Sequence, residues 1–212
     1  MLEIRGLEAG YNGKAVVRLA QFTLPRGEHC LVLGASGSGK TTLLYTIANL
    51  LAPVRGDIVL EGENMAARRG RDADSFRARH IGIVHQTLHM VNAVSVLQNL
   101  LLTQYAAGIR QDAAAALRWL ERLGLSAQKD EKPVSLSQGQ RQRLSIARAA
   151  INAPSLILGD EPTSALDDAA CENVMRVLLE VAAASRASLM VATHDRRIER
   201  HFQHRLLLEG GA

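Results

Sequence analysis

The sequence predicts an α/β domain: a mostly parallel β-sheet with helices on both faces, an antiparallel β platform at the N-terminal end, and an inserted helical segment. Three observations carry this expectation. Short apolar runs such as Cys30-Leu31-Val32-Leu33, Ile81-Gly82-Ile83-Val84 and Leu189-Met190-Val191-Ala192 read as strands buried on both faces. Stretches of helical period separate them, the order that builds a parallel sheet. Four of the runs end in chemistry, at Gly34, Gln86, Asp160-Glu161 and His194. In such sheets, ligands gather beyond the carboxyl ends of the strands.

Taken in order, Leu2 and Ile4 alternate over residues 2–8, as in a half-buried strand. Tyr11-Asn12-Gly13-Lys14 reads as a turn, Val16-Val17 and Phe22-Thr23-Leu24 as the return, and Pro25-Arg26-Gly27-Glu28 as a second turn. Tyr11 is either a packing tyrosine of this platform or an aromatic face for a base, and spacing alone favours packing. Residues 54–62 form a strand between glycines, and the arginine-rich residues 64–79 a solvated loop with a short helix. From about 94 to 149 the period is helical. Leu117, Leu120 and Leu123 share a stripe, and Gly124 is placed to end that helix. Ser155 to Glu161 is an apolar strand ending in two acids. A helix follows from about Asp168 to Ala184, then the strand at 188–193 and a last one at 205–208.

Composition narrows the function. The 212 residues suit one domain, and aromatics at 3% leave an aliphatic core. A net charge of +4 with scattered arginines does not point to nucleic acid. Cys30 and Cys171 make no disulfide framework, and Cys30 should be a buried thiol. The N-terminus lacks a signal-peptide pattern, and no apolar run approaches the ~20 residues of a membrane span. The expectation is a cytoplasmic protein whose membrane role, if any, comes through a partner.

Residues 34–41, Gly34-Ala35-Ser36-Gly37-Ser38-Gly39-Lys40-Thr41, lie between a strand and a helix and read G-x-x-x-x-G-K-T. Glycines let successive N–H groups turn on an anion, and the helix adds its positive end. Lys40 supplies a point charge for β- and γ-phosphates, and the Thr41 hydroxyl can ligate Mg²⁺. Asp160 and Glu161 end a buried strand, where adjacent acids are costly without a cation. Asp160 suits the metal, and Glu161 an attacking water. Ser137 is placed to cap the helix that runs through Leu144 to Ala150, a second phosphate-seeking helix end.

These elements occur in one order: the loop at 34–41, Gln86 after a strand, Leu136-Ser137-Gln138-Gly139-Gln140, the acidic strand end, Ser164-Ala165-Leu166-Asp167, and His194. That set, over essentially the whole chain, resembles the ATP-binding subunit of an ATP-binding-cassette transporter, a P-loop NTPase with a RecA-like sheet. The resemblance implies a single domain, with residues 1–90 and 150–212 as the nucleotide-binding core and about 91–149 as a helical subdomain. It implies ATP and Mg²⁺ as cofactors. Tyr11 would stack on adenine, against the packing preference. Gly34 to Thr42 would cradle the phosphates. Thr41, Gln86 and Asp160 would hold the metal, with Gln86 also touching the membrane partner. Glu161 would be the catalytic carboxylate and His194 the switch histidine at the γ-phosphate. Ser137, Gln138, Gly139 and Gln140 would act on ATP held by a second copy, and Asp167 would touch that copy.

Two departures stand out. The signature usually reads Leu-Ser-Gly-Gly-Gln, and here its third position is Gln138. Gly159 stands where a larger apolar residue is common, which could loosen the strand end. Residues 79–86 and 89–99 resemble the lipoprotein-release and macrolide-export ATPases, whereas Pro162-Thr163-Ser164-Ala165-Leu166-Asp167 is frequent among importers. The reading is an ATPase that dimerises on ATP, sits at the inner face of the membrane through permease subunits, and drives export or extraction. The alternatives are an importer ATPase, a soluble cassette ATPase and a small-molecule kinase. Soluble relatives in DNA repair carry a long coiled coil for which the spacing from Lys40 to Ser137 is too short, translation-factor relatives carry two cassettes where one is seen here, and the kinase needs neither the signature nor His194.

Overall fold

A computed structural model describes residues 1–164 and 166–208; Ala165 of the expected 164–167 motif and the last four residues lie outside them. Strands β1 (Leu2–Tyr11) and β2 (Lys14–Leu24) form a hairpin. Its two-residue loop, Asn12 at φ 51° and Gly13 at φ 75°, has both centres left-handed, the turn whose twist matches paired strands. Strand β3 (His29–Leu33) leads through the loop at 34–39 into α1 (Lys40–Ile47). Strand β4 (Arg55–Leu60) returns to pair with β1, and the turn at Glu61-Gly62 adds the short β5 (Glu63–Asn64). The platform is thus four antiparallel strands in the order β2-β1-β4-β5.

Helix α2 (Gly70–His80) runs longer than its composition suggests. Its anchors are few, Ala73 and Phe76, and Arg68 lies 4.4 Å over the Phe76 ring, so a strongly polar segment is still held down. After β6 (Ile81–Val84) come α3 (Val96–Ala106), α4 (Ala113–Arg122), two short 3₁₀ turns and α5 (Gln138–Ala150). Strand β7 (Leu156–Asp160), helix α6 (Asp168–Ser185), β8 (Ser188–Thr193), a 3₁₀ turn at Arg196–His201 and β9 (His204–Leu207) follow. The second sheet is wholly parallel, in the order β6-β7-β8-β3-β9.

The parallel strands are buried on both faces, and alternation decides which core each side chain enters. Leu31, Leu33, Ile157, Leu189 and Val191 point to a core shared with α3 to α6. Cys30, Val32, Leu156, Leu158, Met190 and Ala192 point to the other, shared with α1 and the platform. Each fully buried aliphatic side chain here contributes about 1.5–3 kcal/mol, so aromatics are dispensable. The Cys30 thiol is a small hydrophobe in this core, and burial pushes its pKa up to about 12.

The helical starts follow their caps. Ser95 and Gln98 form a reciprocal capping box on α3, and Ser137 and Gln140 form another on α5. Asp112 caps α4, and Gly124 at φ 64° ends it, as its position predicts.

Candidate active site

The site begins in the loop between β3 and α1. Gly37 and Gly39 take φ of 81° and 90°, conformations that other residues adopt only at a cost. Gly34 is required for space: a Cβ there would stand 2.3 Å from Ser38 Oγ and 2.9 Å from the Leu208 carbonyl oxygen. Ser38 Oγ is itself buried without a hydrogen-bond partner. Lys40 folds back over the loop. Its Nζ donates to the carbonyls of Gly34 (2.9 Å) and Ala35 (3.0 Å), and lies 3.6 Å from Glu161 Oε1.

The acidic end of β7 sits opposite. Thr41 Oγ1 is 3.0 Å from each Asp160 carboxylate oxygen. Burial pushes the Asp160 carboxyl above its usual range; the Thr41 hydroxyl opposes this, and the Glu161 charge adds to it. Glu161 has φ 49°, the left-handed region, at a cost of about 1–3 kcal/mol. Its amide donates to the Ala192 carbonyl (2.8 Å), and the amide and hydroxyl of Ser164 donate to its own carbonyl. The sharp turn carries the carboxylate back over the loop. There Oε2 accepts from Thr193 Oγ1 at 2.7 Å and Oε1 lies 3.0 Å from His194 Nδ1. Gly159 does not loosen the strand: β7 keeps parallel pairing with both Val84 and Val191 at that residue.

One cavity of about 690 Å³ collects Tyr11, Ala35, Ser36, Gly37, Gly39, Lys40, Thr41, Thr42, Gln86, Glu161 and His194. Tyr11 lines it from the end of β1, 51% exposed, its hydroxyl 3.4 Å from Thr42 Oγ1. It is not the packed platform residue that spacing favours. A phosphate chain suits the loop, because the glycines leave no Cβ in the way and Ser38 Oγ has no other partner. A divalent cation suits Thr41 and Asp160, a hydroxyl beside a buried carboxylate whose ionised form is disfavoured by burial and only partly supported by the Lys40 charge. Among the described residues no group of at least three His, Cys, Asp or Glu side chains could hold a metal ion.

The signature residues stand elsewhere. Gln138, Gly139 and Asp167 line a separate groove of about 470 Å³ between α5 and α6. Ser137 caps α5, accepting from the Gln140 amide at 3.3 Å, so its hydroxyl hydrogen remains to donate. Asp167 caps α6 by accepting from Ala170 N at 2.8 Å. A third groove, about 360 Å³, opens beside Gln86 where α2, β6, α3 and α5 meet. His85, Leu88, His89, Leu102 and Arg148 line it. Burial and the His89 and Arg148 charges hold the His85 imidazole below its usual pKa.

Thr193 and Arg197 lie behind the site, and neither belongs to a motif of the sequence. Thr193 is a fully buried polar residue closing the apolar run Leu189 to Ala192, which is the signal for it. Arg197 carries no signal of its own. No helix among the described residues is long and apolar enough to cross a membrane.

Comparison with known proteins gives a consistent picture. The family described as ABC transporter matches residues 17–164. The lipoprotein-releasing system ATP-binding protein LolD of Xanthomonas oryzae pv. oryzae is 38% identical over 192 residues, 90% of this chain and 79% of that protein. The macrolide export ATP-binding/permease protein MacB of Escherichia coli is 37% identical over 207 residues, 95% of this chain but 32% of that protein. A dimeric ATP-binding cassette solved in a post-hydrolysis state with ADP and phosphate superposes with a TM-score of 0.85. It is 27% identical, over 99% of this chain and 94% of that one.

Proposed function

The chain belongs to the ABC transporter family as an ATPase subunit, and from that premise we propose that it closes into an ATP-bound homodimer that drives a membrane permease in export or extraction. One observation carries the reading. Lys40, Glu161 and His194 share a cavity with the phosphate loop, while Gln138, Gly139 and Asp167 line another. Neither face alone surrounds a γ-phosphate. Two copies set head to tail would give each nucleotide the loop of one and Ser137 and Gly139 of the other.

Within that dimer Tyr11 stacks on the adenine, and the amides from Gly34 to Thr42 bind the phosphates. Lys40 Nζ holds the β- and γ-phosphates. Thr41, Asp160 and Gln86 hold Mg²⁺, which supplies charge neutralisation on the phosphates. Glu161 orients the attacking water, its carboxylate fixed by Thr193 and by His194. His194 steadies the γ-phosphate. Positioning and charge neutralisation carry most of such a reaction, so a strained but fixed Glu161 suits it. The helical subdomain, residues 91–149, would carry closure to the permease, docked at the groove beside Gln86. With the permease docked there, the chain would sit at the inner face of the cell membrane.

The likeness to LolD and MacB supports export or extraction. Ser164 in the segment after Glu161 fits the importer pattern, so an importer is the second reading. A four-span permease with a large extracytoplasmic domain, recovered with the chain, supports the first; a many-span permease with a soluble binding protein supports the second.

Glu161→Gln tests the dimer. It should keep Mg-ATP binding, abolish turnover, and run as a dimer with Mg-ATP on size-exclusion chromatography. A monomer that hydrolyses ATP normally would refute the role of Glu161.

A further inference from the structure

We propose that Arg197 is a positioning residue that locks the segment bearing Asp167 to the loop bearing His194, so that dimer closure and the placement of Glu161 are one event. The proposal rests on the dimeric ATPase reading above.

Arg197 lies in the 3₁₀ turn after β8, outside the nucleotide cavity. Its guanidinium makes contacts in two directions. Toward the switch loop, Nε donates to Asp195 Oδ1 (2.9 Å) and Nη2 to Asp195 Oδ2 (2.8 Å), a bidentate fork. Toward the segment beside the signature groove, Nη1 donates to Asp168 Oδ1 (2.5 Å) and Nη2 to the Leu166 carbonyl (3.2 Å). Leu166 and Asp168 flank Asp167. One planar group therefore spans the segment that faces a second copy and the loop that carries His194.

The connection continues inward without a break. Asp195 Oδ2 accepts from Thr163 Oγ1 at 3.2 Å, and the Asp195 amide donates to Thr193 Oγ1 at 3.0 Å. Thr193 Oγ1 donates in turn to Glu161 Oε2. From the Asp167 segment to the catalytic carboxylate, every link is a hydrogen bond: Arg197, Asp195, Thr193, Glu161. The Arg197 guanidinium holds the Asp195 carboxyl near a pKa of about 2, so this anion stays charged across the working range. Arg200 adds a parallel tie from the same turn to Glu172 of α6, which keeps the turn against the helix.

As a stability element the clamp would be minor, because Arg197 is half exposed and solvated ion pairs contribute little. Its geometry matters more than its energy. A lysine would keep the charge but could not reach Asp195 by two parallel bonds and the 166–168 segment at once.

The test is Arg197→Ala and Arg197→Lys, each measured for steady-state ATP hydrolysis, fluorescent ATP-analogue binding and thermal unfolding. Both should bind nucleotide within about twofold of wild type and unfold close to it. Turnover should fall at least about tenfold for alanine, and by less for lysine. Placed on Asp167→Ala, the alanine change should cost little more, because both act through one segment. Full additivity of the two changes would overturn the proposal. So would turnover within about twofold of wild type, or a loss of turnover that tracks a loss of folded protein or of ATP binding. If wild-type protein hydrolyses no ATP, the dimeric ATPase reading fails instead, and the variants are not the cause.

Discussion

A methyl group added at Gly82 should separate nucleotide binding from turnover. Gly82 lies in β6, beneath α5. A Cβ built there stands 2.1 Å from the Ala149 carbonyl oxygen, 2.8 Å from its carbonyl carbon and 3.1 Å from its Cα. All three are backbone atoms of a helix, so no side chain can swing away. Carbon and oxygen need roughly 3.5 Å, which requires α5 to move off the sheet by about 1 Å or more. Overpacking of this kind costs about 1–3 kcal/mol. For a chain of this size each kcal/mol lowers the midpoint by about 2–4 °C, giving a fall of roughly 2–12 °C for Gly82→Ala. The functional effect should be larger than the structural one. Ser137 caps the N-terminal end of that same helix, and a misplacement of 1 Å can cost about 100-fold in rate. The phosphate loop and Tyr11 touch neither α5 nor Gly82 through the cavity they line, so binding of a fluorescent ATP analogue should stay within about twofold. Calorimetry, steady-state hydrolysis and titration of the analogue read the three quantities. An unfolding midpoint within about 1 °C of wild type with normal turnover would refute the close-packing reasoning; ATP affinity falling as far as turnover would refute the separation.

Lys40→Ala removes the cation beside the Gly34 and Ala35 carbonyls and should weaken ATP binding at least about tenfold by titration; unchanged affinity would contradict the role given to the loop. Asp160→Asn removes a carboxylate whose charged form is disfavoured by burial. It should raise the midpoint by a few degrees, on the order of 1 kcal/mol, while abolishing Mg²⁺-dependent hydrolysis, a trade of activity for stability; a destabilised variant would argue against a net cost of burying this charge. His29 accepts a hydrogen bond from the Leu189 amide through Nδ1 at 3.2 Å, and burial holds its pKa below the usual value. The unfolded chain therefore takes up the proton first on acidification. Stability from this histidine is complete above about pH 6.5 and is lost as pH falls from there toward the lowered native value. His29→Gln should flatten that slope in thermal unfolding between about pH 7.5 and 5.5 without removing it, since burial also lowers His80 and His85; an identical slope would show that His29 is not its source.

The legible parts of this protein are those that local rules control. The Asn12-Gly13 turn, the Ser137 cap, the Gly124 stop and the two-sided burial of β3, β7 and β8 follow from residue type and period. The phosphate loop is legible for the same reason, since its glycines and lysine lie within eight consecutive positions. What period cannot show is α2, where Ala73 and Phe76 hold eleven mostly polar residues, and the strand pair at 63–64, which exists because Leu60 finds Glu63 across a turn. Tyr11 is ambiguous from spacing because a β hairpin end is both a packing position and a rim. Its place at the rim depends on α1 and the phosphate loop lying beside the hairpin end, a long-range contact that spacing does not show.

The acids at the end of β7 show why a site can be located in a sequence before it can be understood. Asp160 and Glu161 are neighbours of nearly equal chemistry. In a continued strand their side chains would face opposite sides of the sheet. The left-handed turn at Glu161 breaks that alternation. Asp160 remains in the strand, paired with Ala192 in register and with the Thr41 hydroxyl. Glu161 leaves it, turning over the loop toward Lys40, Thr193 and His194. One backbone dihedral therefore sends one carboxylate to the Thr41 hydroxyl and the other to Lys40, Thr193 and His194. The strain must be held by contacts from outside the strand, and they are there: the Ala192 carbonyl, Ser164, Thr193 and, through Asp195, Arg197. None of these lies within three positions on the N-terminal side of Glu161, and most are over thirty residues downstream. The different surroundings of two adjacent residues are thus set by a strand and a turn over thirty residues downstream.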